Sequence, residues 1–299
     1  MQDSEGTRAT PDPDAAGSRL PSGAAGPGSP SGAAGPAEPD DSLTPEGRLV
    51  PKGRRRYQWE VLLVLGVSLG QSAVYAVVSL LNKLTTGPLA EQEARINVSQ
   101  SERQYFDLTY QLLGIGFALV PVLLALYFLS ASGRGALRRM GLDLSRPWRD
   151  LGVGIGLLAL IGLPTLGMYA AGSALGLTAK VVPNALNTYW WTVPVLILAA
   201  IKNGLLEEIL MVGYLMDRLP RFGWPMVTVV LSTALLRGSY HLYQGIGPFI
   251  GNVLLGILFS LFYLKYRRVM PLVIAHSLID IVGFLAPAVL TILPGLFAR

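Results

Sequence analysis

Cysteine is absent from all 299 residues, which removes disulfides, thiolate metal ligands and cysteine nucleophiles together. Charge is scarce as well. Only 14% of residues are charged and 51% are apolar, against about 25% charged in an average soluble domain. The mean hydropathy of +0.46 agrees. Histidine occurs only twice. No basic start with a 7–15 residue apolar run precedes residue 57, so the N-terminal region does not read as a signal peptide.

Residues 1–52 differ in composition from the rest. Nine of the 21 prolines fall before residue 52, and Ser-Gly-Ala-Ala-Gly-Pro occurs at both 22–27 and 31–36. So little apolar surface cannot offset ordering entropy, which predicts a disordered cytoplasmic tail. From residue 53 to 299 the sequence predicts an all-α, polytopic transmembrane bundle. Apolar segments near the ~20 residues of a bilayer span run over about 57–81, 105–129, 151–175, 190–219, 224–243, 246–264 and 270–293.

The net charge of +5 is distributed as cytoplasmic loops require rather than as a nucleic-acid surface. Basic residues cluster at Lys52 and Arg54–Arg56, in the loop with Arg134, Arg138, Arg139, Arg146 and Arg149, at Arg218 and Arg221, and at Lys265, Arg267 and Arg268. The alternate loops are balanced or nearly uncharged: 82–104 has three basic and three acidic residues, and 176–189 has only Lys180. Seven spans with the N-terminus cytoplasmic satisfy every loop, and a cell-membrane location is expected.

Charge inside a span costs about 2.5–3.5 kcal/mol per residue and needs a reason. The fourth segment holds Lys202, Asn203, Glu207 and Glu208. Neighbours on a helix point about 100° apart, so the two glutamates cannot serve one point equally. Asn203, one turn before Glu207, is placed to hydrogen-bond it, and Lys202 to snorkel or pair with a glutamate. The fifth segment sets Arg237 and His241 four apart, and the seventh does the same with His276 and Asp280. Alone, each histidine reads most simply as a packing residue, and the glutamates as caps if the helix ends near Leu206. It is the coincidence of all three that points to chemistry.

These residues resemble the motifs of the CPBP family, also called CAAX prenyl protease type II or Abi: EExxxR, then FxxxH, then HxxxN or HxxxD. The counterparts are Glu207-Glu208, His241, and His276 with Asp280, within a core at about 190–285. Two positions depart, since Val212 stands for the motif arginine and Arg237 for the phenylalanine. The departures suggest that Arg237 supplies from the fifth helix the cation that holds Glu208.

The resemblance implies an intramembrane endopeptidase acting on a CAAX-like or other membrane-associated peptide. Glu207 would activate water, His241 would position it, and His276, oriented by Asp280, would stabilise the oxyanion. A zinc or other divalent ion on Glu207, His241 and His276 is the alternative, but no HExxH occurs and a metal-free site is favoured. Neither Gly-x-Ser-Gly nor Gly-x-Gly-Asp is present, which argues against the rhomboid and aspartyl types. A rival from another class is a proton-coupled transporter, scaffold or self-immunity protein, although no repeated halves are visible. One difficulty is geometric. At ~1.5 Å per residue, Glu207 lies ~18–21 Å from the cytoplasmic helix ends, His276 ~12 Å and His241 ~25–30 Å. Straight helices do not bring them together. The fifth must start inside the membrane, tilt, or break near Gly238.

Overall fold

The computed structural model describes residues 41–43, 49–51, 53–130 and 135–297. Most of the expected tail, 1–52, lies outside them. Within it, Asp41–Leu43 (β1) and Leu49–Pro51 (β2) pair antiparallel.

Helices occupy all seven expected segments. The first is Arg54–Gly66 (α1) and Leu69–Thr86 (α2), bent by 53° at the break between them. Gln104–Ala118 (α3) and Val120–Ser130 (α4) fill the second, followed by a short helix, Ala136–Arg139 (α5). Pro147–Ala174 (α6) is the third. The fourth is Thr192–Glu207 (α7), a π-helical stretch Glu208–Tyr214, and Leu215–Arg218 (α8). Met226–Ser239 (α9), Ile246–Tyr266 (α10) and Met270–Phe297 (α11) complete the set. Among the described residues, three helices suffice by length and composition to cross a membrane (Gln104–Ser130, Pro147–Ala174 and Ile246–Tyr266), or four if α1 and α2 form one span. α9 and the described apolar part of α11, Met270–Ala286, are shorter.

Helix dominates, in line with the all-α expectation, and besides β1 and β2 there is one further short strand pair among the described residues. Glu93–Arg95 (β3) and Lys180–Val182 (β4) form a parallel pair. The ladder is extended by Lys180 N–H to the Gln92 carbonyl (2.8 Å) and Ile96 N–H to Val182 (2.9 Å). Two loops without helical bonding thus satisfy each other's backbone groups.

Close helix approach rests on glycine. A Cβ on Gly204 of α7 would lie 2.4 Å from Ser277 Oγ and 2.9 Å from the Val273 carbonyl on α11. One on Gly238 of α9 would meet Val253 at 2.5 Å and the Phe249 carbonyl at 2.8 Å on α10. On Gly154 of α6 it would meet Ile274 of α11 at 2.5 Å. Lipid tails are as apolar as leucine, so backbone proximity replaces the hydrophobic effect as the source of helix association.

The arginine-rich ends meet on one side. Arg139 pairs with Asp217. Buried Arg218 lies 3.4 Å from Glu60 and donates to the Phe128 carbonyl at 2.6 Å. Arg268 holds buried Asp150 at 2.6 Å and Asp143 at 3.1 Å. The Ser145 hydroxyl and amide, with Arg268, hold the Asp143 carboxyl down to about 2. At the opposite end, Lys83 of α2 donates to the carbonyls of Glu93 (2.7 Å) and Tyr243 (2.8 Å).

Gly204→Ala is expected to force α7 and α11 apart and to cost about 1–3 kcal/mol, read as a lower thermal midpoint in detergent. An unchanged midpoint would show that the contact is not tight.

Candidate active site

α7, α9 and α11 each contribute polar side chains to one buried cluster. α7 continues past Leu206 through the π-helical stretch into α8, so the two glutamates are not caps. π-helical turns inside α-helices are frequent at functional sites.

Glu208 is fully buried, and Arg237 Nη1 lies 2.8 Å from its Oε1 as an ion pair. The other guanidinium nitrogen, Nη2, is 3.5 Å from Glu207 Oε2. The guanidinium also rests 5.2 Å over the Phe259 ring, and its stem lies against Gly256, where a Cβ would come within 3.2 Å of Cδ. The fifth helix therefore places a cation beside Glu208, while Val212 is buried in an apolar wall.

His276 stands between the two glutamates. Its Nδ1 is 2.6 Å from Glu208 Oε1, and its Nε2 is 3.9 Å from Glu207 Oε2. A carboxylate accepts only, so the Nδ1 proton is donated to Glu208. Arg237 Nη2, 3.1 Å from the same nitrogen, is then a neighbour and not a donor to it. Adjacent glutamates thus address opposite edges of one imidazole, in keeping with their different directions on the helix.

His241 lies beyond the end of α9. The helix stops at Ser239, one residue past Gly238, and the chain turns through Tyr240 and His241 into a short 3₁₀ turn, Leu242–Gln244. The ring thereby comes within 4.0 Å (Nε2) of Glu207 Oε2. A break near Gly238, one of the three ways around the depth mismatch, is present. Gln244 Nε2 lies 3.5 Å from His241 Nδ1. The Nε2 atom is buried and has no hydrogen-bond partner among the described residues.

Three expected partnerships are corrected. Asn203 does not bond Glu207. Its amide donates to Asp280 Oδ2 at 2.7 Å, because Glu207 Oε2 is turned toward Tyr240, whose hydroxyl donates to it at 2.7 Å. Lys202 pairs with neither glutamate and donates to Asn203 Oδ1 at 2.5 Å. Asp280 Oδ1 is 3.9 Å from His276 Nε2, too far for the direct bond that would orient the ring; Glu208 does that instead. Tyr240 is the residue that sequence reasoning missed. It precedes His241 and is buried, but helical spacing puts no partner opposite it, so nothing marked it out.

Zinc or another divalent ion would need Glu207, His241 and His276 as its donors. Among the described residues no three His, Asp or Glu side chains form a group that could hold a metal. Glu207 Oε2 is already bonded by the Tyr240 hydroxyl and faces the Arg237 cation, which opposes a dication at that atom.

A helical bundle with apolar, bilayer-length helices and an ionisable cluster sunk among them defines a class, the polytopic membrane proteins with an internal acid–base site. Within that class, residues 189–282 match the family model "type II CAAX prenyl endopeptidase Rce1-like". The match is to this segment, and Glu207-Glu208, His241 and His276, the residues that carry the resemblance, all fall inside it. No curated protein and no solved structure matches the chain significantly.

Arg237→Phe leaves Glu208 buried without its cation and is expected to destabilise by about 3–5 kcal/mol, measured by thermal unfolding in detergent. Adding Val212→Arg to Arg237→Phe should recover part of that loss. A double variant no more stable than the single would refute the relocation of the cation between helices.

Proposed function

We propose that the chain is an intramembrane endopeptidase in which Glu207 activates water for attack on a peptide bond, without a metal. One observation supports this reading above the rest. The Nε2 atoms of the only two histidines stand 4.0 and 3.9 Å from the same carboxylate oxygen, Glu207 Oε2. Each separation exceeds a hydrogen bond but suits a water bonded to both ends.

The roles follow from which atoms are already committed. Glu207 accepts the water proton as the oxygen–carbon bond forms, and passes it to the amine nitrogen as the carbon–nitrogen bond breaks. Glu208 holds the Nδ1 proton of His276 and so fixes the ring with its Nε2 edge toward Glu207 and the water position. Oxyanion stabilisation then falls to His241, whose Nε2–H is the free donor when the Gln244 amide faces Nδ1. Tyr240 and Arg237 hold Glu207 in place. Asp280, fixed by Asn203, borders the water position. The substrate is a membrane-associated peptide, and the family's description names the CAAX prenyl class.

Purified protein and a panel of quenched peptides test this. Glu207→Gln should lower turnover about 10²–10⁴-fold with an unchanged thermal midpoint. Tyr240→Phe should lower it about tenfold, in line with loss of a hydrogen bond to a charged group. A chelator should leave turnover intact, and metal content should stay below stoichiometric. Peptide turnover that persists in Glu207→Gln overturns the assignment; loss of turnover on chelation that zinc restores overturns its metal-free form.

A further inference from the structure

We propose that a cavity at the arginine-rich end of the bundle, lined by Arg139, Tyr263 and Arg267, binds a phosphate group, carried by an anionic lipid headgroup or free in solution. No residue of the Glu207 cluster lines it, and the site does not depend on peptide hydrolysis.

The cavity has a volume of about 210 Å³ and lies between α4, α5, the π-helical stretch, α8 and the end of α10. Arg139, Asp217, Tyr263 and Arg267 supply its polar groups, and the rest of the lining is apolar. Two of the four are left with unused donors. Tyr263 is only 7% exposed, yet its hydroxyl has no hydrogen-bond partner among the described residues. A buried tyrosine hydroxyl ordinarily finds one. Arg267 meets no carboxylate among the described residues, and its guanidinium rests 5.9 Å over the Tyr263 ring.

The carboxylate in the lining is outnumbered. Asp217 pairs with Arg139, with Arg218 at 2.9 Å and with Arg221 at 3.4 Å. Arg218 is shared with Glu60 at 3.4 Å, while Asp143 and Asp150 are held by Arg268. Around the cavity, Arg139, Arg218, Arg221 and Arg267 thus face Asp217 and Glu60, which leaves an excess of positive charge. Guanidinium forks match the spacing of phosphate oxygens, and the Tyr263 hydroxyl adds a donor.

Position selects phosphate among anions. α4 and α10 end at the cavity, and they close two helices of bilayer-spanning length, Gln104–Ser130 and Ile246–Tyr266. Span ends meet the headgroup layer, where basic pockets between helices bind anionic headgroups. Pockets for drug-sized ligands run to ~300–1,000 Å³, so this smaller space fits a headgroup and not a whole lipid or a peptide. Gly213 in its wall belongs to the π-helical stretch that begins at Glu208. A bound phosphate would therefore abut the segment that carries Glu208.

Thermal midpoints of the full chain in detergent, stripped of native lipid, read the binding, because a ligand of the folded state raises them by mass action. Dioctanoyl-phosphatidylglycerol, dioctanoyl-phosphatidylcholine and inorganic phosphate are titrated separately. A saturable rise with phosphatidylglycerol alone assigns the site to a headgroup; one with inorganic phosphate shows that the free ion suffices. Arg267→Gln and Tyr263→Phe should each weaken the apparent affinity about tenfold or more, as expected for loss of a hydrogen bond to a charged group. Arg95→Gln, the same charge change at the opposite end, should leave it unaltered. The proposal is overturned by no saturable rise with either anion, by an equal rise with the net-neutral phosphatidylcholine, by full affinity in both lining variants, or by an equal loss in Arg95→Gln.

Discussion

The guanidinium of Arg237 is the interaction on which the rest depends. Two adjacent carboxylates inside a bundle of apolar helices repel one another and have lost their water, and either charge alone would be costly to bury. A planar cation that reaches both, at 2.8 and 3.5 Å, makes the pair tolerable. It also separates their roles. Glu208, bound to the cation and to His276, has become part of the wall. Glu207 keeps one oxygen turned toward Tyr240 and the two imidazoles. Arginine suits this position because its donors are fixed in a fork and its charge is always present.

Such an arrangement is held only if the helices that carry it cannot drift. Glycines 204, 238 and 256 remove the side chains that would separate α7 from α11 and α9 from α10. Two of them lie beside the charged cluster: Gly238 adjoins Arg237 in sequence, and Gly256 accepts its stem. The fit of an ion pair and the fit of a helix crossing are thus one packing problem. A shift of an ångström would loosen both.

Much of this was legible in the sequence because its causes are local. Apolar run length located the helices, and turn-spaced polar residues in Glu207-Glu208, Arg237–His241 and His276–Asp280 identified the members of the cluster. The pairing of Arg237 with Glu208 could be inferred from a missing cation at Val212. What could not be read depends on tertiary direction. Asn203 lies one turn from Glu207, yet it bonds Asp280 across a helix interface, which spacing along one helix cannot reveal. Tyr240 reaches Glu207 only because the chain leaves the helix after Ser239. The π-helical stretch has no signature in composition, and the pairing of β3 with β4 joins loops more than 80 residues apart.

The turn that carries His241 bears on what counts as a module in this protein. The segment that matches the protease family begins at residue 189, yet the ammonium of Lys83 and the backbone of residues 177–179 secure the turn from outside it. Residues with no motif of their own are thus structurally bound to those that have one. The boundary drawn by sequence likeness is narrower than the set of residues that hold the turn in place, and the helix and loop before it serve the core as scaffold.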